Sequence, residues 1–121
     1  MKKALIVDDS NTMRDMVSIS LKTAKFDVVS AGDGVEALDV AKDHDIDVVI
    51  TDINMPNMNG IELIKNLRVD PKFKFTPILV LTTEGGDDMK SQGKQAGATG
   101  WIVKPFNVDT LLGAVNKVCP Q

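Results

Sequence analysis

Five short apolar runs, separated by stretches with helical periodicity, constrain the fold of this chain more than any other feature. Each run is continuous rather than alternating, rich in Val and Ile, and bounded by Gly, Pro, Asp or Asn. Such runs are typical of strands that are buried on both faces of a parallel sheet. Five βα units of this kind predict a doubly wound α/β sandwich. The predicted strands are 4–7, 28–30, 48–50, 78–81 and 101–103.

The segments between these runs have apolar residues at helical spacing, and we expect each apolar face to be buried. The four faces are Met13, Met16, Val17, Leu21 and Ala24; Val35, Leu38 and Ala41; Ile61, Ile64 and Leu67; and Val108, Leu111, Leu112, Val115 and Val118. Asn107 is the predicted N-cap of the last helix. The weakest helical pattern is the segment 84–98, which carries Gly93 in its interior. An interior glycine costs about 1 kcal/mol relative to alanine, so we expect this fourth helix to be the most mobile of the five.

Composition excludes several classes of protein. The hydrophobic content of 43% supports a core, whereas the net charge of −3 disfavours nucleic-acid binding, which needs a basic surface. The only cysteine, Cys119, has no partner for a disulfide, and His44, the only histidine, lies in a charged run where we expect it to be solvated. No stretch suits a signal peptide or a membrane span. We expect a cytoplasmic, monomeric protein that makes no membrane contact and forms one domain over residues 1–121.

Acidic residues end two of the predicted strands and a lysine ends a third. Asp8 and Asp9 close the first run, Asp52 closes the third, and Lys104 closes the fifth. The carboxyl ends of parallel strands meet at one edge of the sheet, where ligands bind in folds of this class. Three carboxylates that converge there raise one another's pKa, and a divalent cation would relieve the repulsion. Because carboxylate oxygens suit Mg²⁺, the pattern predicts a metal-assisted phosphoryl site.

Most of these residues also have a simpler interpretation. Asp8 and Asp9, followed by Ser10, suit the start of a helix, where they would satisfy free N–H groups. A hydroxyl at Thr82, which ends the fourth run, can satisfy its own backbone. Lys104 precedes a proline and can be a solvated loop residue, and the bond between the two is a candidate cis peptide. For each residue taken alone, these alternatives stay open.

Asp52 is harder to explain by structure alone. The segment 54–60 that follows it is rich in Asn, Pro and Gly, which mark a turn, and a turn does not require the carboxylate. A carboxylate can attack phosphorus and form an aspartyl phosphate. In that case the backbone carbonyl of Asn54 could bind the metal. Thr82 could then donate a hydrogen bond to a phosphoryl oxygen, and Lys104 could neutralise the phosphate.

Together these residues resemble the receiver domain of two-component response regulators, and the resemblance covers the whole chain. It implies the flavodoxin-like (βα)5 fold with strand order 2-1-3-4-5. The segments DDSNTMR, NMPNMNG and KPF look like those of single-domain chemotaxis regulators. The combination that carries the resemblance is specific because all of its members occur in order at strand ends: Asp8, Asp9, Asp52, Thr82 and Lys104 with Pro105.

The resemblance implies a role for each acidic residue. Asp52 would accept a phosphoryl group from the phosphohistidine of a chemotaxis histidine kinase. Asp9 and Asp52 would bind Mg²⁺ directly, together with the carbonyl of Asn54, and Asp8 would act largely through water. The chain would catalyse only its own phosphorylation and dephosphorylation, so we expect it not to be an enzyme that acts on other molecules.

The resemblance also implies a switch. Thr82 and Lys104 would bind the phosphoryl oxygens, and an aromatic ring on the fifth strand would turn inward as Thr82 moves. That ring belongs here to Trp101, where the family commonly has Tyr or Phe, so the extent of its burial is open. Asn54 and Glu84 match positions that flank the phosphoryl group and influence its hydrolysis.

The implied function is a signalling switch that binds a flagellar motor switch protein once it is phosphorylated, with a dedicated phosphatase as a further partner. A phosphate sink and a phosphorelay intermediate are alternatives within the same class. A metal-dependent phosphatase with an aspartyl nucleophile is a remote alternative, because Asp52 is followed by no second aspartate at the position that such enzymes use. A degenerate receiver that serves as a scaffold is disfavoured by the complete acidic set.

Overall fold

The strands form one parallel sheet in the computed structural model, which describes residues 1–83 and 87–120. The order of the strands is β2-β1-β3-β4-β5, so the predicted flavodoxin-like order 2-1-3-4-5 is confirmed. Every described ladder is parallel. The predicted strands are correct to within two residues at each end: β1 is Lys3–Val7, β2 is Asp27–Ala31, β3 is Val48–Asp52, β4 is Ile78–Thr82 and β5 is Gly100–Val103.

A helix follows each strand, and a short 3-10 helix precedes β4. Four of the α-helices begin after a residue whose side chain accepts a hydrogen bond from a backbone N–H in the first turn, which satisfies a group that would otherwise have no partner. These caps are Ser10, Asp33, Asn59 and Asn107, the last as predicted. The helices are α1 Asn11–Thr23, α2 Gly34–Lys42, α3 Gly60–Arg68, α4 Asp87–Ala96 and α5 Val108–Val118, and the 3-10 helix is Pro71–Phe73.

Two hydrophobic clusters lie on opposite faces of the sheet. Because successive side chains of a strand point to opposite faces, Leu5 joins the cluster beneath α2, α3 and α4, and Ile6 joins the cluster beneath α1 and α5. The predicted doubly wound sandwich is therefore confirmed. No helix within the described ranges is long and apolar enough to cross a membrane.

The predicted burial is wrong at three positions, since Met16, Val35 and Val108 are exposed. In α1 the buried residues are Val17, Ser20 and Leu21, and Met16 lies outside this face. In α2 the buried face consists of small residues, among them Ala37 and Ala41, and Val35 lies away from that face. Val108 is the first residue of α5, where the helix has only begun to cover the sheet. The expected mobility of α4 stays a prediction.

Candidate functional site

Three carboxylates meet at the carboxyl edge of the sheet, as the sequence predicts. Asp8 and Asp9 follow β1 directly, and Asp52 is the last residue of the neighbouring strand β3. Each of the three offers one carboxylate oxygen, and these oxygens lie within 4.8 Å of one another. Asp8 is only 1% exposed, Asp52 is half-buried and Asp9 is exposed. The cluster therefore extends from the interior to the solvent.

Lys104 lies against the buried part of this cluster. Its Nζ is 3.4 Å from Oδ2 of Asp8 and 3.4 Å from Oδ2 of Asp52. Its backbone N–H donates to the carbonyl of Thr82 at 2.7 Å, and its peptide bond to Pro105 is cis, as the sequence suggests. The three carboxylates of the cluster and the ammonium group of Lys104, counted alone, carry a formal surplus of two negative charges when all four groups are ionised.

Burial raises the pKa of Asp52 above its ordinary value. The positive charge of Lys104 opposes this shift, and the negative charge of Asp8 adds to it. The raised pKa means that the ionised carboxylate lacks full compensation from the protein alone. A further positive charge at this edge would favour the ionised form, which is the form that can act as a nucleophile.

The alternative interpretation of Asp8 and Asp9, as residues that suit the start of a helix, is correct in part. Ser10, rather than either aspartate, caps α1, because its hydroxyl accepts from the N–H of Met13 at 3.2 Å. Asp8 shapes the same turn, since its Oδ1 accepts from the N–H of Ser10 at 2.9 Å. Asp8 thus uses one oxygen for the turn and the other for Lys104, while Asp9 is left facing the solvent.

Thr82 and Trp101 line one small cleft beside the acidic cluster. Thr82 is the buried last residue of β4, and Trp101 lies half-buried on the adjacent strand β5. The Nζ of Lys90, on α4, is 5.4 Å from the centre of the indole ring. Ile53, Val80 and Gly93 complete the lining of the cleft. The structure therefore brings the two predicted switch residues together, with a cation over the ring.

Asn54 lies exposed in the segment that follows Asp52. This segment returns sharply to α3, because the N–H of Gly60 donates to the carbonyl of Ile53 at 2.9 Å. A Cβ at position 60 would lie 2.2 Å from the carbonyl oxygen of Asp52, so only glycine permits this close approach. Glu84, the other residue predicted to influence hydrolysis, lies outside the described residues.

A family model for the response regulator receiver domain matches residues 4–116. The chain belongs to this family. Receiver domains are response regulators of two-component signalling rather than conventional enzymes, and they generally bind Mg²⁺. The donor set of this chain fits that ion, because carboxylate oxygens are hard ligands and the cluster carries surplus negative charge.

Chemotaxis proteins are among the similar relatives of this receiver domain. The chain is 44% identical over 117 residues to the chemotaxis protein CheY-3 of Vibrio cholerae, covering 96% of this chain and 90% of that protein. It is 45% identical over 111 residues to a CheY homologue of Campylobacter jejuni, covering 90% of this chain and 85% of the relative. The solved structure of CheY4 of Vibrio cholerae superimposes with a TM-score of 0.94 at 51% identity, covering 98% of both chains.

Sequence reasoning missed two cations beside this receiver site. Arg14 donates from Nη1 to the carbonyl of Asp8 at 2.5 Å, and so braces the acidic strand end. The position of Arg14 could have been predicted from its spacing. It is four residues after the N-cap Ser10, so it lies one turn later on the same side of α1. Lys90 carried no comparable signal, since its contact with Trp101 depends on how α4 packs beside β5.

Proposed function

We propose that this receiver domain is a phosphorylation-activated regulator of chemotaxis, with Asp52 as the phosphoacceptor. The observation that carries the proposal is the position of Asp52, half-buried between a lysine and two further aspartates. Residues 1–121 act as one receiver domain in this proposal. The similar relatives named as chemotaxis proteins support the assignment to that process.

Asp9, Asp52 and the backbone carbonyl of Asn54 hold Mg²⁺ in this proposal, and Asp8 contributes largely through water. The ion supplies positive charge that neutralises the incoming phosphoryl oxygens. Asp8 keeps Lys104 in place, since the two groups are 3.4 Å apart in the buried part of the cluster. The surplus of two negative charges favours this arrangement.

Phosphoryl transfer uses the carboxylate of Asp52 as the nucleophile. One of its oxygens attacks the phosphorus of a phosphohistidine on a histidine kinase, the P–N bond breaks, and the imidazole leaves with the electron pair. Lys104 binds a phosphoryl oxygen from its position beside Asp52. The chain acts in this way only on itself, during its own phosphorylation and dephosphorylation.

The phosphoryl group biases the switch because it adds a charge of about −1.5 to −2 and several strong hydrogen-bond acceptors. Thr82 donates a hydrogen bond to a phosphoryl oxygen, and Trp101 follows it into the cleft that both residues line. Asn54 and Glu84 modulate hydrolysis of the aspartyl phosphate. Only contacts that differ between the two states shift the equilibrium, and Thr82 supplies such a contact.

The proposed partners are a chemotaxis histidine kinase, a flagellar motor switch protein and a dedicated phosphatase. The phosphorylated form binds the motor switch protein as a monomer in the cytoplasm. A pull-down of motor switch protein that occurs only with the phosphorylated chain would support this role. Phosphorylation without any such capture would favour a phosphate sink or a relay intermediate instead.

The test of the acceptor is the intact mass of the protein after brief incubation with acetyl phosphate and Mg²⁺. We expect the wild type to gain the mass of one phosphoryl group, and Asp52→Asn to gain none. Asp27→Asn is the matched control, because it removes a carboxylate from the opposite edge of the sheet and should be phosphorylated normally. An adduct on Asp52→Asn, or none on the wild type even at the shortest times, would overturn the proposal.

A further inference from the structure

The loop that carries Asn54 is tied to a neighbouring helix by a pair of side chains outside the acidic cluster. Nδ2 of Asn57 donates to Oδ2 of Asp33, the N-cap of α2, at 2.8 Å. Asn57 has a φ of 66°, in the left-handed region that asparagine tolerates better than most residues. This conformation turns the tip of the loop toward α2.

Both carboxylate oxygens of Asp33 accept hydrogen bonds. Oδ1 accepts from the backbone N–H of Glu36 at 2.8 Å and so caps α2. The bond from the Glu36 N–H lowers the pKa of Asp33, and the bond from Asn57 lowers it further. Asp33 is therefore ionised at neutral pH, and its bond to Asn57 is charge-assisted.

The backbone of the loop touches the start of α2 as well. The N–H of Gly34 donates to the carbonyl of Met58 at 3.3 Å. A Cβ at position 34 would lie 2.7 Å from Cγ of Met58 and 2.9 Å from its carbonyl oxygen, so glycine is required for this approach. The loop is thus tied to α2 at two successive residues.

Along the chain, Asn54 lies between Ile53, which is bonded to Gly60, and Asn57, which is bonded to Asp33. Within residues 1–83, Asn54 itself makes no hydrogen bond. Its position is therefore set by the residues on either side. We propose that Asp33 and Asn57 are positioning residues that aim the carbonyl of Asn54 at the acidic cluster and so set the affinity of the site for Mg²⁺. This inference rests on the proposed function, in which that carbonyl is a ligand.

A reversal of the pair tests the proposal. Asp33→Asn keeps a good helix cap but leaves only a neutral amide–amide bond to Asn57, and Asn57→Asp keeps a residue that tolerates positive φ but faces Asp33 with a second carboxylate, so each loses the charge-assisted bond. In the double variant the polarity is reversed, so that the amide of residue 33 donates to the carboxylate of residue 57. Each single variant should bind Mg²⁺ about three- to tenfold more weakly by calorimetry, because a single charge-assisted hydrogen bond is lost. The double variant should return to within about twofold of the wild type.

Three further variants separate positioning from other effects. Asp39→Asn removes a charge from the exposed side of α2, where Asp39 contacts Lys42, and should leave the affinity unchanged. Asn57→Gly, which keeps the positive φ, should match the single variants and serves if Asn57→Asp does not fold. Asp9→Ala should abolish Mg²⁺ binding, because it removes a proposed ligand.

The outcomes distinguish the inference from the function on which it rests. Loss of binding in Asp9→Ala, together with wild-type affinity in Asp33→Asn and Asn57→Gly, would overturn the positioning role alone. A double variant that is folded but binds as weakly as the single variants would overturn it as well. A wild type that binds no Mg²⁺, or an Asp9→Ala variant that binds it normally, would instead overturn the proposed metal site.

Discussion

Charged residues gather at both edges of the sheet, but in different surroundings. At the amino edge, Nζ of Lys3 lies 3.0 Å from Nδ1 of His44 and 3.8 Å from Oδ2 of Asp27, and the N–H of Lys3 donates to Asp47 at 2.7 Å. The side chains of Lys3 and Asp27 are 25% and 59% exposed. Water therefore screens most of the charge at this edge.

At the carboxyl edge the same kinds of residue are more deeply buried. The side chains of Lys104, Asp8 and Asp52 are 15%, 1% and 13% exposed, and their charges do not balance. Burial makes each charge there more costly and each partner more important. Clustering of acids therefore does not by itself mark a functional site. What marks this site is negative charge that is both buried and in excess.

The largest difference between the edges should appear when each loses its lysine. Lys104→Met leaves the buried Asp8 and the half-buried Asp52 without their counter-charge and should lower the free energy of unfolding by about 3 kcal/mol. Lys3→Met breaks a pair in which Asp27 is exposed and Lys3 is partly exposed, and it should cost less than about 1 kcal/mol. Urea unfolding in the presence of a chelator measures both losses. Equal losses in the two variants would show that burial does not make the charges at the carboxyl edge more costly than those at the amino edge.

Mg²⁺ should stabilise the protein through the carboxyl edge alone. At a concentration about ten times its dissociation constant, the ion should raise the free energy of unfolding by about 1.4 kcal/mol, as ligand linkage requires. Asp9→Ala should lose this gain, and Asp27→Asn should keep it. Thermal unfolding with and without Mg²⁺ measures the effect, and a gain that survives in Asp9→Ala would place the ion elsewhere.

Asp52→Asn should make the metal-free protein more stable at neutral pH, although it removes the proposed acceptor. Burial raises the pKa of Asp52 in the folded state above that in the unfolded chain, so the folded state binds the proton more tightly. Ionisation of Asp52 therefore destabilises the fold at pH values above both pKa values, and this cost disappears below the unfolded value.

The advantage of Asp52→Asn over the wild type should shrink as the pH falls toward about 4, and it should be smaller than the effect of Mg²⁺. Thermal unfolding of both proteins in chelator, measured between about pH 4 and pH 8, gives the difference directly. An Asp52→Asn variant that is less stable than the wild type at neutral pH would mean that Lys104 outweighs burial at this carboxylate.

The sequence predicts the strands and the acidic edge because both follow from local patterns. A continuous apolar run implies a buried parallel strand, and parallel strands bring their carboxyl ends together. These two rules are enough to place Asp8, Asp52 and Lys104 at one edge of the sheet. The cap at Asn107 also depends only on its neighbours in the chain.

Most of the features that the sequence did not predict depend on contacts between distant residues. Asp33 and Asn57 are 24 residues apart, and their bond requires the left-handed turn at Asn57. His44 was predicted to be solvated but is half-buried against Lys3, because the turn after α2 brings it beside the start of β1. Val35 was predicted to be buried, but small residues form the buried face of its helix.

Asp27→Asn should change the free energy of unfolding less than any other variant, and it gives the reference value for a charge lost from the amino edge. It removes one carboxylate from the amino edge, where Lys3 keeps its contacts with His44 and Asp47. The free energy of unfolding should fall by about 0.5 kcal/mol or less at low salt, and the difference should vanish in about 1 M salt, because exposed charges are screened over about 3 Å there.

The same salt series should leave most of the loss in Lys104→Met, because ions cannot reach buried carboxylates as readily. Urea unfolding of Asp27→Asn and Lys104→Met at both salt concentrations measures this contrast. If salt removes both losses equally, the carboxyl edge is as accessible to ions as the amino edge. Its surplus charge would then be screened by the solvent, and only the geometry of the ligands would support a dedicated cation site.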